Sequence, residues 1–294
     1  TNLTKSFYSK NFSSQTDSLY NENQWQSYVH QTGIKGLFRG FTYRTYFKQR
    51  YWDVNNPMAG LQKNRLENYV GLFLQQKFND KIDFTADGEY LVGSDYRLQA
   101  SFISPFFQVK ASRTSISPSI AQNWTYNAAF RWNQSFVNIL FDELTGTLDL
   151  HSKNIYFRPT ATIQRIGNYA YFDTLATAKQ TNDAIGVFRT GFSAGGTLKR
   201  FEWSALVLAN TKTGPDVIRM PNLVANANLA LNVQYKKLLY MQFGVDVQHQ
   251  SAYYADAYMP TMQQFHLQDR YEIPAFVQAD AYVTLRINRV RLFF

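Results

Sequence analysis

The chain contains no cysteine among its 294 residues, which excludes a disulfide framework, a thiolate metal site and a cysteine nucleophile. Long apolar runs are also missing. The longest clear one is "ALVLA" at 205–209, far below the roughly 18 residues that a membrane-crossing helix needs, so a helical membrane protein is excluded. Charged residues are sparse, at 17%. The net charge is +9, but Lys and Arg are scattered singly and form no block, which argues against nucleic acid as a partner. Residues 1–24 are polar and rich in Ser and Asn, with no apolar stretch and no small-residue cleavage site, so they do not read as a signal peptide.

Aromatic residues, in contrast, make up 17% of the chain, and apolar residues recur at every second position almost from end to end. A period of two is the signature of a strand with two unlike faces, and no tested segment fits the helical period better. The clearest predicted strands are 41–50, 82–92, 122–132, 155–163, 201–209, 223–235, 239–250 and 279–288. Weaker candidates lie at 26–38, 66–78, 96–104, 136–150 and 191–198. In "LLYMQFGVDVQHQ" (238–250), Leu239, Met241, Phe243, Val245 and Val247 form one face, and Gln242, Asp246 and Gln248 lie on the other.

A soluble β-sandwich strand also has one apolar face, so alternation alone does not name the solvent. Length separates the cases, because soluble strands run about five or six residues and a tilted membrane strand needs about nine to eleven. Most of these segments belong to the longer class. From Gly167 onward, long connections (167–185, 211–222, 251–277) alternate with tight turns at Lys199 and Arg200, at Lys236 and Lys237, and near Asn288, as in outer-membrane barrels. The first half is less regular, since "NDK", "GSD", "NQS" and "HSKN" are all short. Trp124, Tyr126, Phe130 and Trp132 are expected on one face of a single strand, as part of an aromatic girdle. The expectation is an all-β fold: a transmembrane antiparallel up-and-down β-barrel over 25–294 with roughly fourteen strands, preceded by a polar segment over 1–24. The final "VRLFF" is too short to span, so further strands are expected in the full protein.

Longer runs carry a more specific signal. "SRTSISPSIAQNWTYNAAFRWNQSFVNILFDELTG" (112–146), "RPTATIQRIGNYAYFD" (158–173), "TKTGPDVIRMPN" (211–222), "SAYYADAYMPTMQQFHLQD" (251–269) and "EIPAFVQADAYVTLRINRVRLFF" (272–294) resemble the putative porin family of Bacteroidota. The resemblance implies a β-barrel in the bacterial outer membrane with channel function. It also implies a signal peptide at the start and strands continuing past "RINRVRLFF".

Two short motifs raise the question of chemistry. "GFSAG" (191–195) matches G-x-S-x-G, in which Ser193 would be a nucleophile on a strand-to-helix turn. Here "GTLKRFEW" continues with period two and no helix follows. "DFTADGE" (83–89) echoes the opening of a calcium loop, but Ser94 stands where the closing Glu is required. On a strand, Asp83, Thr85, Asp87 and Glu89 would instead share one face. His30, His151, His249 and His266 are far apart and lack metal-ligand spacing. No enzymatic activity, metal or cofactor is expected.

What remains is the polar face. If Phe41, Tyr43 and Phe47 face lipid, then Arg44, Lys48 and Arg50 line the interior, and the same alternation places Asn127, Arg131, Arg158, Gln164, Gln242, Asp246, Gln248 and Arg286 there. The assignment has an energetic basis, since a charged side chain on the lipid face costs about 2–4 kcal/mol at the bilayer midplane. Long loops concentrate binding functions. Asp216, Arg219, Tyr253, Tyr254, Asp256 and Tyr258 are the candidates there, in loops that either constrict a channel or form an external cap. The expected function is a porin-like outer-membrane channel for passive diffusion of small hydrophilic solutes or ions, surrounded by outer-membrane lipid and lipopolysaccharide. A second copy or an envelope-complex subunit is a further candidate partner. The competing expectation is a sealed structural or docking barrel within a larger outer-membrane or secretion assembly.

Overall fold

A computed structural model describes residues 24–56, 61–126, 130–236 and 238–294. Alternation folds here as strand. The long strands are β1 Gln24–Phe38, β2 Phe41–Asn56, β3 Leu61–Asn79, β4 Ile82–Leu91, β5 Tyr96–Ile103, β6 Phe107–Ile116 and β7 Ile139–Leu148. They continue with β8 Ile155–Gly167, β9 Ile185–Leu198, β10 Phe201–Thr213, β11 Leu223–Tyr235, β12 Leu239–Gln250, β13 Phe276–Ile287 and the short β14 Val290–Phe293. All lie in one antiparallel sheet whose strand order follows the chain, a meander without crossovers. Beyond Asp149, Leu150–His151 prolongs β7 along β8. β3 reaches 19 residues and β8 to β13 each at least 12, beyond the span of about nine to eleven that a membrane demands, and β4, β6 and β7 match it at 10. Among the described residues the edge strands β1 and β14 do not pair with each other.

The predicted strands 223–235 and 239–250 keep their bounds, and 41–50, 155–163 and 201–209 are parts of longer strands. The segment 122–132 does not form one strand. Ile120–Asn123 is a single helical turn, α1, held by a reciprocal cap between Ser119 and Gln122. Trp124–Tyr126 and Arg131–Asn133 then pair as a small hairpin off the main sheet. The physical reason is tertiary. The Trp132 indole donates to the Ala121 carbonyl at 3.0 Å, and its ring packs on Phe130 and Phe172, so these aromatics fill a core between loops rather than a girdle.

In a meander, successive connections fall at alternate ends of the sheet. Residues 39–40, 80–81, 104–106, 149–154, 199–200 and 288–289, with the turn that starts at Lys236, lie at one end. Residues 92–95, 117–138, 168–184, 214–222 and 251–275 lie at the other. This resolves the irregular first half: "NDK" and "HSKN" belong to the turn end, "GSD" is a short connection at the loop end, and "NQS" lies within the 117–138 loop. At 39–40 both Arg39 (φ 49°) and Gly40 (φ 85°) are left-handed, the two-residue turn whose twist matches a hairpin.

The buried apolar clusters sit at the loop end. Phe172, Ala178, Met259 and Met262 form a core joined by Ala121, Phe130, Trp132 and Phe136, so three long loops meet in it. Ile166, Ile185 and Val187 form a second, against which Val217, Ile218 and Met220 of the 214–222 loop pack. Together the loops make a cap. The opposite situation holds along the strands, where Leu98 (53% exposed), Ile163 (57%), Leu229 (54%) and Val245 (45%) present a continuous apolar surface that in water would promote aggregation.

Candidate functional site

Register decides which side chains share a face. Asp246 lies opposite Asn228 and Asp280, Gln248 opposite Asn226 and Gln278, and Gln242 opposite Asn232 and Thr284. Between these polar rows, Val245 lies opposite Leu229 and Ala281. Followed strand by strand, the pairing carries Arg44, Lys48, Arg50, Arg158, Gln164, Gln242, Asp246, Gln248 and Arg286 to one face. It is the face that carries Ile166 and Val187 beneath the cap, and we call it inner. Phe41, Tyr43 and Phe47 fall on the outer face, as the alternation requires. Two candidates depart from this set. Arg131 belongs to the small hairpin off the sheet, because 122–132 is not a spanning strand, and Asn127 lies outside the described residues.

Several charges on the inner face are paired across adjacent or next-but-one strands. Lys48 Nζ donates to Glu89 at 2.6 Å and lies 4.2 Å from the Tyr69 ring centre. Arg50 Nε donates to Glu67 at 2.7 Å, while Tyr69 Oη and Trp52 Nε1 donate to the same carboxylate at 2.6 and 3.0 Å. Arg97 reaches Asp87 at 3.5 Å, and Gln75 reaches Asp83 at 2.7 Å. The carboxylates of the calcium-like segment are thus engaged by separate partners. Farther along, Arg158 bonds Asp149 at 3.0 Å, Gln164 bonds Glu143, Arg189 bonds Asn210 at 2.9 Å, and Asn226 bonds Asp246 at 2.7 Å. Arg44 lies over Phe73 and Arg286 over Tyr240, at 5.4 and 4.2 Å. Sequence reading missed Glu67, Tyr69, Trp52 and Glu143. The odd-numbered polar positions of 63–77 were the available signal for the first two.

Tyrosines on this face lie flat over glycines of the adjacent strand. A Cβ on Gly244 would run into the Tyr282 ring, and one on Gly195 would meet the Tyr156 hydroxyl at 2.7 Å. Gly195 accounts for part of the "GFSAGG" run as a packing feature. Ser193 lies within β9, opposite Arg158 and Leu206, and the chain passes through the 199–200 turn into β10. There is no strand-to-helix turn, so the nucleophile reading has no structural basis.

The cap brings some loop candidates together and separates others. Asp216 accepts from Lys212 at 2.6 Å and Arg219 at 3.1 Å, and Arg219 also donates to Asp269 and lies over the Tyr254 ring. Lys212 and Arg219 hold the Asp216 carboxyl below its ordinary range: hydrogen bonding to Lys212 is the largest influence, opposed by partial burial. Asp256 moves the other way, raised by loss of water and only partly offset by Arg219 and His266. Tyr253 pairs with Ile273 in a short ladder. Tyr258 stands apart, 52% exposed and packed on Phe265 at the tip of another hairpin. The histidines do not converge either. The Nδ1 atoms of His249 and His266 each lie at a backbone carbonyl, 3.0 and 2.8 Å away.

Solved structures share this architecture. The FrpB iron transporter of Neisseria meningitidis superposes with a TM-score of 0.59 at 10% identity, covering 91% of this chain and 49% of its own. The siderophore receptor PirA of Acinetobacter baumannii gives 0.61 at 7% identity, covering 92% and 49%, and the copper transporter OprC 0.62 at 8%, covering 93% and 50%. The chain therefore spans about half the length of these structures, and the likeness is one of fold. No curated protein matches it in sequence. The family model described as putative porin matches residues 1–294, and with a spanning meander, a polar inner face and an apolar outer one, the chain belongs to the putative porin family, outer-membrane β-barrel proteins of the transport class.

Proposed function

We propose that this protein is a passive channel through which small hydrophilic solutes or ions cross the outer membrane. The observation that carries this reading is the inner face, which holds Arg44, Lys48, Arg50, Glu67, Glu89, Arg158 and Asp246 along spanning strands. Each Arg or Lys among them would cost about 2–4 kcal/mol against lipid at midplane and each carboxylate less, so the face calls for water. Both signs occur as pairs, across one strand in Lys48 with Glu89 and on adjacent strands in Arg50 with Glu67. Lys and Arg still outnumber Asp and Glu on this face of the described strands, so a modest preference for anions is expected. The side chains orient water and solute; no bond is made or broken.

The cap supports a second reading, a barrel sealed by its loops that serves as a docking subunit. Val217, Ile218 and Met220 pack on Ile166 and Val187 at the loop end of the inner face. Planar-bilayer recording separates the two. Inserted protein that carries ion current and passes small sugars supports the channel. Inserted protein that stays silent until the 170–180 hairpin is deleted refutes it in favour of the sealed barrel.

A further inference from the structure

On the outer face of β3 to β14, the Lys, Arg, Asp and Glu side chains among the described residues number three, and they form one row: Arg113 on β6, Asp142 on β7 and Arg165 on β8. Arg113 lies directly opposite Asp142, and Asp142 directly opposite Arg165. Adjacent strands are about 4.8 Å apart, so the two arginines stand on either side of one aspartate. Arg113 Nε is 3.3 Å from Asp142. Arg165 is exposed and has no ion pair among the described residues, so the row keeps one uncompensated positive charge on a face otherwise built for lipid.

Depth gives the charge a meaning. The three residues lie within three positions of the loop-side ends of their strands, at Ile116, Ile139 and Gly167, about 10 Å of strand at most. That puts the row in the loop-side third of its strands, away from the midplane, where a cation on a barrel's lipid face costs less than at the bilayer centre. Long loops mark the extracellular end of such barrels, so the row faces the outer leaflet. Directly beside it runs a trough of about 1010 Å³ lined by Leu72, Leu74, Gly88, Leu98 and Ala111, and Arg113 stands on its rim.

We propose that this row and trough bind lipopolysaccharide, with a lipid A phosphate held by Arg165, the cation that Asp142 leaves unpaired, and an acyl chain lying along Leu72 and Leu98. The charge complementarity selects a phosphorylated lipid, since a neutral headgroup would leave Arg165 unpaired. The site rests on the outer-membrane setting and is independent of whether the inner face conducts.

The test is native mass spectrometry of the full chain refolded in detergent, titrated with bisphosphorylated lipid A, with the same lipid stripped of its phosphates, and with inorganic phosphate. Wild type should retain lipid A and discriminate against both other probes. Arg165→Gln breaks no ion pair of the fold and should weaken lipid A binding about tenfold, the loss expected for one charge-assisted hydrogen bond. Ala111→Phe, which fills the trough but leaves both arginines, should also weaken it. Equal retention of lipid A by Arg165→Gln and by Arg113→Gln/Arg165→Gln, or equal binding of the dephosphorylated lipid, would overturn the proposal. Binding of inorganic phosphate as strong as that of lipid A would overturn it as well, by making the row an ion site. Bilayer conductance should stay at the wild-type value in Arg165→Gln.

Discussion

Glu67→Gln is the substitution that weighs the inner-face network most directly. The Glu67 side chain is 6% exposed and accepts from Tyr69 and Arg50 on Oε2 and from Trp52 on Oε1. Gln keeps the volume but turns one acceptor into a donor. If its carbonyl serves Tyr69 and Arg50, its amide meets the Trp52 N–H, and that half-buried donor loses its partner at a cost of about 1–3 kcal/mol. Loss of charge weakens the other two bonds. Arg50 is 42% exposed, so solvent screens its ion pair and its share is about 1 kcal/mol or less. The sum is a destabilisation of about 1–4 kcal/mol, measured by urea unfolding of protein refolded in detergent. In a double-mutant cycle with Trp52→Phe, which removes the stranded donor, roughly 1 kcal/mol should be recovered. A Glu67→Gln protein within about 0.5 kcal/mol of wild type, with no coupling to Trp52, would refute the reasoning.

Three further outcomes are expected. Gly244→Ala drives a methyl into the Tyr282 ring and should lower the unfolding free energy by about 1–3 kcal/mol, with Tyr282→Ala relieving most of the added cost in the double variant. Met259, 3% exposed in the cap core, should cost about 2–5 kcal/mol when cut to Ala; the loss should appear as faster hydrogen exchange in 168–184 and 251–275 while the strands stay protected. Asp95 pins both ends of the 117–138 loop through Ser117 and Asn138. Burial works to raise its pKa, but hydrogen bonds from Ser94, Ser117 and Asn138 outweigh it and hold the carboxyl below its ordinary range. A lowered folded pKa means stability that is complete above the unfolded value of about 3.9 and lost as pH falls through the folded one. Exchange protection of 117–138 should therefore hold from neutral pH to about 5 and decline below about 4, and Asp95→Asn should weaken it at neutral pH, with the difference from wild type closing as the pH falls.

The sheet was readable from sequence because its physics is local. Each strand separates two solvents, so side chains alternate wherever the chain spans, and 223–235 and 239–250 needed no tertiary information to be bounded. The inner-face residues followed from the same parity. Their partners did not, since Lys48 meets Glu89 across 41 positions through a register set by two intervening strand ends. The cap was the least readable part. In 122–132 the aromatics Trp124, Tyr126, Phe130 and Trp132 keep a period of two in the sequence, yet Phe130 and Trp132 pack with Phe172, Met259 and Met262 from distant loops, and α1 is closed by a local cap between Ser119 and Gln122 that competes with strand. The outer charges Arg113, Asp142 and Arg165 were visible only once register placed them in one row.

That the inner face meets water and the outer face meets lipid is the central claim, and the absence of native cysteine makes it directly measurable. Single cysteines introduced in turn from Tyr240 to Gln248 of β12 can be treated with a charged, membrane-impermeant thiol reagent in protein held in lipid bilayers. Cysteines at 242, 246 and 248 should react, and those at 241, 243, 245 and 247 should be protected. Uniform reactivity, uniform protection, or the opposite alternation would contradict the assignment of the two faces.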